Sequence, residues 1–265
     1  MLQANNITFR VRDKPLISGV SVSFVPGKLH LIIGPNGAGK STLIKVLARL
    51  LRPQEGTVDY QDVDVQNESE ADLAKRRAVL SQAVEVAFPL TVREVVMMGR
   101  YPHFGGRPSS VDVKIVDDVM EYFDVTEFSE RDYQTLSGGE RQRVNFARVL
   151  AQLWGAAVNS QGSPGSCRYL FLDEPLTFLD IRHQMDFMKK VRSFANGPDV
   201  VTVGVVHDLN LAARFADDLV LLDRGQVVAN GSPAEVLTAD RIREVFAVEP
   251  TFVPAGDSSI HLIFN

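Results

Sequence analysis

Apolar and polar positions alternate along Ile7-Thr8-Phe9-Arg10-Val11 and again along Val20-Ser21-Val22-Ser23-Phe24, the period of half-buried strands. Pro26-Gly27 ends the second run. Leu29–Ile33 is apolar apart from His30 and reads as a strand covered on both faces. A glycine-rich segment follows. After it Leu43, Val46, Leu47 and Leu50 recur at helical spacing until Arg52-Pro53 stops the pattern. Gly56–Val65 reads as a hairpin arm.

The middle of the chain is helical in pattern. Thr91, with Glu94 three residues on, forms a capping box and opens a short helix towards Gly99. Val111–Phe123 is amphipathic, and Glu140–Trp154 carries a stripe of Val144, Ala147, Val149, Leu150 and Leu153. Gly155–Ser166 is rich in Gly, Ser, Asn and Pro and is expected to be an exposed loop. Beyond it strands and helices alternate: strand Tyr169–Asp173, helix Ile181–Ala195, strand Val200–Val206, helix Leu209–Phe215 and strand Leu219–Asp223. Arg224-Gly225 turns the chain into Gln226–Ala229, and Ser232-Pro233-Ala234-Glu235 starts a further helix with cap, first-position proline and capping box together. The alternation predicts a parallel sheet with helices on both faces, and the helical middle reads as an insertion into it.

Composition narrows the class. The 265 residues, 45% hydrophobic and 23% charged, exclude a disordered or collagen-like chain and suit one large α/β domain or one domain with a sub-domain. A net charge of −5 lacks the basic footprint of a nucleic-acid binder. Cys167 is the only cysteine, which excludes an internal disulfide and a cysteine metal site and fits a reducing compartment. No apolar run is long enough to span a bilayer, and Met1–Asn6 has neither the basic start nor the apolar core of a signal peptide. Work at a membrane is therefore expected to go through a partner, from the cytoplasmic side.

The glycine-rich segment Gly34-Pro35-Asn36-Gly37-Ala38-Gly39-Lys40-Ser41 matches G-x-x-x-x-G-K-S/T, set between a strand and a helix. Glycines let successive backbone N–H groups turn towards phosphate oxygens, and the helix N-terminus adds partial positive charge. Lys40 is expected to reach the β- and γ-phosphates and Ser41 to ligate Mg²⁺. Tyr169-Leu170-Phe171-Leu172-Asp173-Glu174 is an apolar strand ending in two carboxylates. Asp173 is expected beside the Mg²⁺, and Glu174 is placed to polarise a water for attack on the γ-phosphate. To this point a P-loop kinase and a P-loop ATPase fit equally.

Leu136-Ser137-Gly138-Gly139-Glu140-Arg141-Gln142-Arg143 separates them. Physically it is a second anion site, a serine hydroxyl and two glycine N–H groups at a helix start. With this run the chain resembles the ATP-binding-cassette (ABC) ATPase family, whose signature is Leu-Ser-Gly-Gly. The resemblance covers nearly the whole chain. It implies one ABC ATPase domain over residues 1–265: an α/β P-loop NTPase (RecA-like) core, an N-terminal antiparallel β sub-domain, and an α-helical sub-domain inserted at about 84–153. It implies ATP and Mg²⁺ as ligands, and a homodimer in which each signature closes over the nucleotide of the other copy. The nucleotide residues carried over are Gly34 through Thr42, that is Gly34, Pro35, Asn36, Gly37, Ala38, Gly39, Lys40, Ser41 and Thr42, with Ser137, Gly138, Gly139, Asp173 and Asp180. Glu174, His207 and Gln82 are implied as catalytic, and Ser41, Gln82 and Asp173 as metal ligands. His30, His103, His183 and His261 are assigned to no metal or haem.

Two positions depart from the family pattern. Val11 stands where an adenine-stacking aromatic is usual, with Phe9 the aromatic on the same strand face, and Phe178 enlarges the segment Leu176-Thr177-Phe178-Leu179-Asp180. Gly99-Arg100-Tyr101-Pro102-His103 resembles an element of ATPases serving importers of iron-siderophores, vitamin B12 and haem. The run Ala151-Gln152-Leu153-Trp154, the loop Gly155–Arg168 and Leu179-Asp180-Ile181-Arg182-His183-Gln184 resemble the haem-import branch. The resemblance thus implies integral membrane permease subunits and, indirectly, a substrate-binding protein as partners, at the cytoplasmic face of the bacterial inner membrane. Met97, Met98, Tyr101 and Phe104 read either as an adaptable surface for a partner's helix or, for the two methionines, as core. A siderophore or B12 importer, a non-transport ABC ATPase and a small-molecule kinase are the competing readings.

Overall fold

The alternating N-terminal segments pair with each other first. β1 (Leu2–Val11) and β2 (Lys14–Phe24) form a long antiparallel hairpin. β3 (Lys28–Ile33) enters a second sheet and leads to α1 (Lys40–Leu47). β4 (Glu55–Tyr60) returns to β1, with the short β5 (Val63–Asp64) at its side, giving a four-stranded antiparallel sheet in the order β2-β1-β4-β5. The computed structural model describes residues 1–81, 89–155, 167–177, 179–254 and 260–264.

α2 (Glu70–Arg76) and β6 (Arg77–Leu80) precede the helical stretch, which holds α3 (Val92–Met97), α4 (Ser110–Tyr122) and α5 (Gly138–Leu153). Then come β7 (Arg168–Asp173), α6 (Ile181–Ala195), β8 (Val200–Val205), α7 (Leu209–Phe215), β9 (Asp218–Asp223) and β10 (Gln226–Gly231). α8 (Pro233–Val236), α9 (Ala239–Phe246) and the hairpin β11 (Pro250–Pro254) with β12 (Ile260–Phe264) complete the described chain.

The second sheet has the order β10-β9-β3-β8-β7-β6. Five of its strands run parallel, and only the edge strand β10 is antiparallel, because the Arg224-Gly225 turn folds it straight back on β9. Both faces are covered, which explains the unbroken apolar strands. Leu29, Leu31, Ile33, Leu170 and Leu172 face the cluster built with α5, α6 and α7. Ile32, Tyr169, Phe171, Val201 and Val203 face α1 and the antiparallel sheet. One face is thus covered partly by strands rather than by helices alone.

α5 packs on α3, α4 and β6, and its apolar stripe belongs to the same cluster as Leu170 and Leu172. Its C-terminal end is pinned by the 3₁₀ turn Met98–His103. Arg100 is 4% exposed; its Nε donates to Asp112 Oδ1 (3.0 Å), and one terminal nitrogen donates to the carbonyls of Ala151 (2.8 Å) and Trp154 (3.2 Å). His103 Nε2 lies 2.7 Å from the carbonyl oxygen of Gln152, whose own amide donates to Ala74 and Arg77. Gly99 lets this turn approach: a Cβ there would sit 2.0 Å from the Arg148 carbonyl oxygen. Of the four partner-surface candidates, Met97 packs on the core, Met98 and Phe104 are half-buried, and Tyr101 is exposed.

Three segments differ from the sequence pattern. α1 ends at Leu47, and Leu50 lies beyond it, half exposed, because Arg49 adopts φ +54° and turns the chain away. α2 buries only Leu73, so it has no apolar stripe to read. The β11–β12 hairpin depends on a distant residue: Asn210 of α7 donates its amide N–H to the carbonyl of Leu262 and accepts from the Leu262 N–H.

Candidate functional site

β3, β8 and β7 lie side by side and parallel, so the segments leaving their C-terminal ends meet at one edge of the sheet. In open α/β sheets this is where ligands bind. The glycine-rich loop leaves β3, His207 follows β8 and Glu174 follows β7. An open depression of about 280 Å³ collects Leu16, Asn36, Gly37, Gly39, Lys40, Ser41, Thr42, Glu174 and His207.

The loop is shaped by its first glycine. Gly34 has φ +148°, and a Cβ there would meet the Leu222 carbonyl oxygen at 2.0 Å, so the loop is pressed on β9. Gly34, Pro35 and Ala38 do not line the depression. Ala38 is buried, its N–H bonded to Pro35 and its carbonyl to Gly225, and Pro35 has no N–H to offer. These three shape the loop, whereas Asn36, Gly37, Gly39, Lys40, Ser41 and Thr42 present it. Lys40, 5% exposed, donates Nζ hydrogen bonds to the carbonyls of Gly34 (2.8 Å) and Pro35 (2.9 Å). Burial pushes its ammonium below the ordinary lysine range, opposed by the carboxylates of Glu174 and Asp173.

Ser41 Oγ donates to Asp173 Oδ1 at 2.7 Å across 132 residues of sequence. A hydroxyl and a carboxylate held together are hard oxygen donors, which fits Mg²⁺. Among the described residues no group of three or more His, Cys, Asp and Glu is placed to hold a metal. Mg²⁺ needs no such group, since it is usually bound through one or two carboxylates plus substrate phosphates and keeps several waters.

Glu174 stands one residue past the strand in a left-handed conformation, φ +52°. For a residue with a Cβ that costs about 1–2 kcal/mol. The turn is held by Thr177, whose Oγ donates to the Glu174 carbonyl (3.1 Å), and by His207, whose Nε2 is 2.8 Å from Glu174 Oε1. Gln142, on the buried side of α5, donates to the Pro175 carbonyl at 2.8 Å. The signature helix is therefore tied directly to the turn that carries Glu174. Gln142 lies within the signature run, and the one sign of this role in the sequence is a polar residue one helical turn before the buried Phe146.

The signature turn lies elsewhere. Ser137 caps α5 in a reciprocal box: Glu140 N–H donates to Ser137 Oγ, and Ser137 N–H donates to Glu140 Oε2. The Ser137 N–H chiefly, with the Ser137 hydroxyl adding to it, holds the Glu140 carboxyl below its ordinary range. Ser137, Gly139, Glu140, Arg143, Leu179, Asp180 and His183 line a second concavity of about 300 Å³, and Gly138 begins α5 beside it. It shares no residue with the first. Asp180 caps α6, accepting from the His183 N–H, and that bond chiefly holds its carboxyl low, with the His183 ring adding to it.

Gln82 and Phe178 lie outside the described residues, as does most of the loop expected over Gly155–Ser166. Val11 is 51% exposed at the end of β1, while Phe9 is half-buried against the core beneath the antiparallel sheet; neither lines the depression beside Lys40.

A family model described as ABC transporter matches residues 17–154. The "Hemin import ATP-binding protein HmuV" of Bordetella pertussis is 44% identical over 248 residues, 94% of this chain and 92% of that protein. The HmuV of Escherichia coli O157:H7 is 38% identical over 262 residues, 98% of each. An inward-facing structure of a metal-chelate type ABC transporter has the same fold, with a TM-score of 0.80 at 23% identity over 100% of this chain and 96% of that one.

Proposed function

The chain belongs to the ABC transporter family of ATPases, and from that premise we propose that it is the ATP-hydrolysing subunit of an importer that carries haem through a separate membrane permease. The observation that carries the mechanism is the separation of the two anion-binding turns: a triphosphate on Lys40 leaves the Ser137 turn of the same chain without a ligand. Two copies arranged head to tail give each turn a nucleotide.

Each γ-phosphate is held by Lys40, Gln82 and His207 of one copy and by Ser137 and Gly139 of the other. Glu174 takes a proton from a water, and the water oxygen attacks the γ-phosphorus in line as ADP departs. His207, hydrogen-bonded to Glu174, orients that carboxylate and contacts the γ-phosphate. Ser41, Asp173 and Gln82 would hold Mg²⁺, which would supply neutralisation of the charge on the phosphates. Closure draws the helical sub-domains, residues of about 84–153, together and moves the permease. The Gln142–Pro175 bond supports this coupling, because it joins α5 to the hydrolytic turn.

Among the described residues no helix is long and apolar enough to cross a membrane. We place the subunit at the cytoplasmic face of the bacterial inner membrane, held by its permease and served by a substrate-binding protein. The cargo reading rests on the HmuV relatives. Purifying the complex from membranes and measuring ATP hydrolysis with haem, a ferric siderophore or cobalamin tests it. Several-fold stimulation by haem alone is expected; stimulation by another cargo moves the assignment to that importer, and absence of any co-purifying membrane protein removes the importer reading. A second test addresses the dimer. Ser137→Arg fills the second concavity, so ATP-driven dimerisation and turnover are expected to be lost while one copy still binds ATP. Unchanged turnover in that variant argues against a shared site.

A further inference from the structure

The second concavity holds a group that the two-copy mechanism above leaves unused. His183 lines it together with Ser137 and Gly139 and is 47% exposed at its side chain. Its Nδ1 is 2.8 Å from Asp180 Oδ1, and its backbone N–H donates to the same oxygen at 2.9 Å. The ring is thus fixed one helical turn into α6 by the residue that caps that helix. The remaining ring nitrogen, Nε2, has no hydrogen-bond partner among the described residues.

The charges around it give that nitrogen a task. α5 contributes Glu140 and Arg143, the latter donating to the Asp124 carbonyl at 2.9 Å. Arg131 lies 3.7 Å from Glu140. Asp180 caps α6, and Arg182, Asp186 and Lys190 follow on that helix, with Asp124 across the adjoining groove. Within the concavity itself, the carboxylates of Glu140 and Asp180 stand against the one guanidinium of Arg143. A turn that receives a triphosphate is better served by balanced or positive walls. A proton on His183 supplies that balance, and the imidazolium retains both donors, one for Asp180 and one for an incoming anion.

We propose that His183 is a third side chain of the shared half-site, donating from Nε2 to a phosphate oxygen of the nucleotide carried by the second copy. The proposal rests on the two-copy reading. Seating an anionic oxygen against the imidazole favours its protonated form, so closure takes up a proton and the closed dimer tightens as the pH falls. Asp180 acts here as a positioning residue for the ring.

The test uses the full chain carrying Glu174→Gln, with saturating Mg²⁺–ATP, and reads the monomer–dimer dissociation constant by sedimentation between about pH 6 and pH 8. With His183 present, dimerisation is expected to weaken about tenfold or more over that range, the worth of one charge-assisted hydrogen bond per site. With His183→Gln added, the dimer is expected to be weak at both ends with a flattened pH profile. With His183→Arg, which keeps a charge at every pH used, it is expected to stay tight throughout. Equal dissociation constants and equal pH profiles for the three chains overturn the proposal and leave the two-copy reading standing. No ATP-dependent dimer in any of them overturns both.

Discussion

Glu174→Gln is expected to lower ATP turnover by about 10²–10⁴-fold, the usual worth of a general base, or roughly 3–5 kcal/mol of barrier. The substitution preserves shape and the left-handed turn, in which Thr177 bonds the backbone carbonyl and not the carboxylate. The amide oxygen still accepts from His207, so the ring keeps its place. What disappears is the capacity to take a proton from water. Lys40, Ser41 and the loop N–H groups are untouched, so ATP affinity should change little, and the nucleotide-bound dimer should accumulate. Single-turnover hydrolysis and equilibrium ATP binding, measured on the same preparation, separate the two effects. Turnover within a factor of about three of the parent chain would remove Glu174 from the role and shift it to another group at the strand ends.

The largest loss of stability is expected from Arg100→Ala. Arg100 and Asp112 are both 4% exposed, so the pair is shielded from solvent. Truncating the arginine leaves the Asp112 carboxylate without its cation and deprives the Ala151 and Trp154 carbonyls of their donor. Breaking a buried pair from one side costs about 3–5 kcal/mol. For a chain of this size that lowers the melting midpoint by roughly 6–20 °C. Removing Asp112 as well should recover part of the loss, because no uncompensated charge then remains. A shift under about 2 °C for Arg100→Ala would show that the pin at the end of α5 contributes little. The same site revises the meaning of Gly99-Arg100-Tyr101-Pro102-His103. Read as a mark of an importer group, it is physically a clamp: Gly99 permits contact with α5, and Arg100 and His103 close over its last carbonyls.

What was legible in the sequence was local. The strand–loop–helix unit around Lys40, the capping boxes at Thr91 and Ser232, and the helices Ile181–Ala195 and Leu209–Phe215 lie where short-range pattern put them. Each is specified by neighbours within a few residues, through periodicity, a cap or a glycine. α2 and the C-terminal hairpin were silent, the first for want of an apolar stripe and the second because Asn210, about 50 residues away, holds β12.

A phosphate-binding loop, a pair of strand-end carboxylates, a strand-end histidine and a second glycine turn can each be read from a short run of residues. Which of them act together is a matter of packing. The strand order sets β3, β8 and β7 side by side, and that brings Ser41 to Asp173 and His207 to Glu174. The same packing keeps Ser137, Asp180 and His183 apart from Lys40. Hydrogen-bond contacts of about 3 Å between residues as far apart in the chain as Ser41 and Asp173 follow from which strands pair and in what register. That choice is fixed by burial summed over whole faces of the sheet rather than by any segment alone.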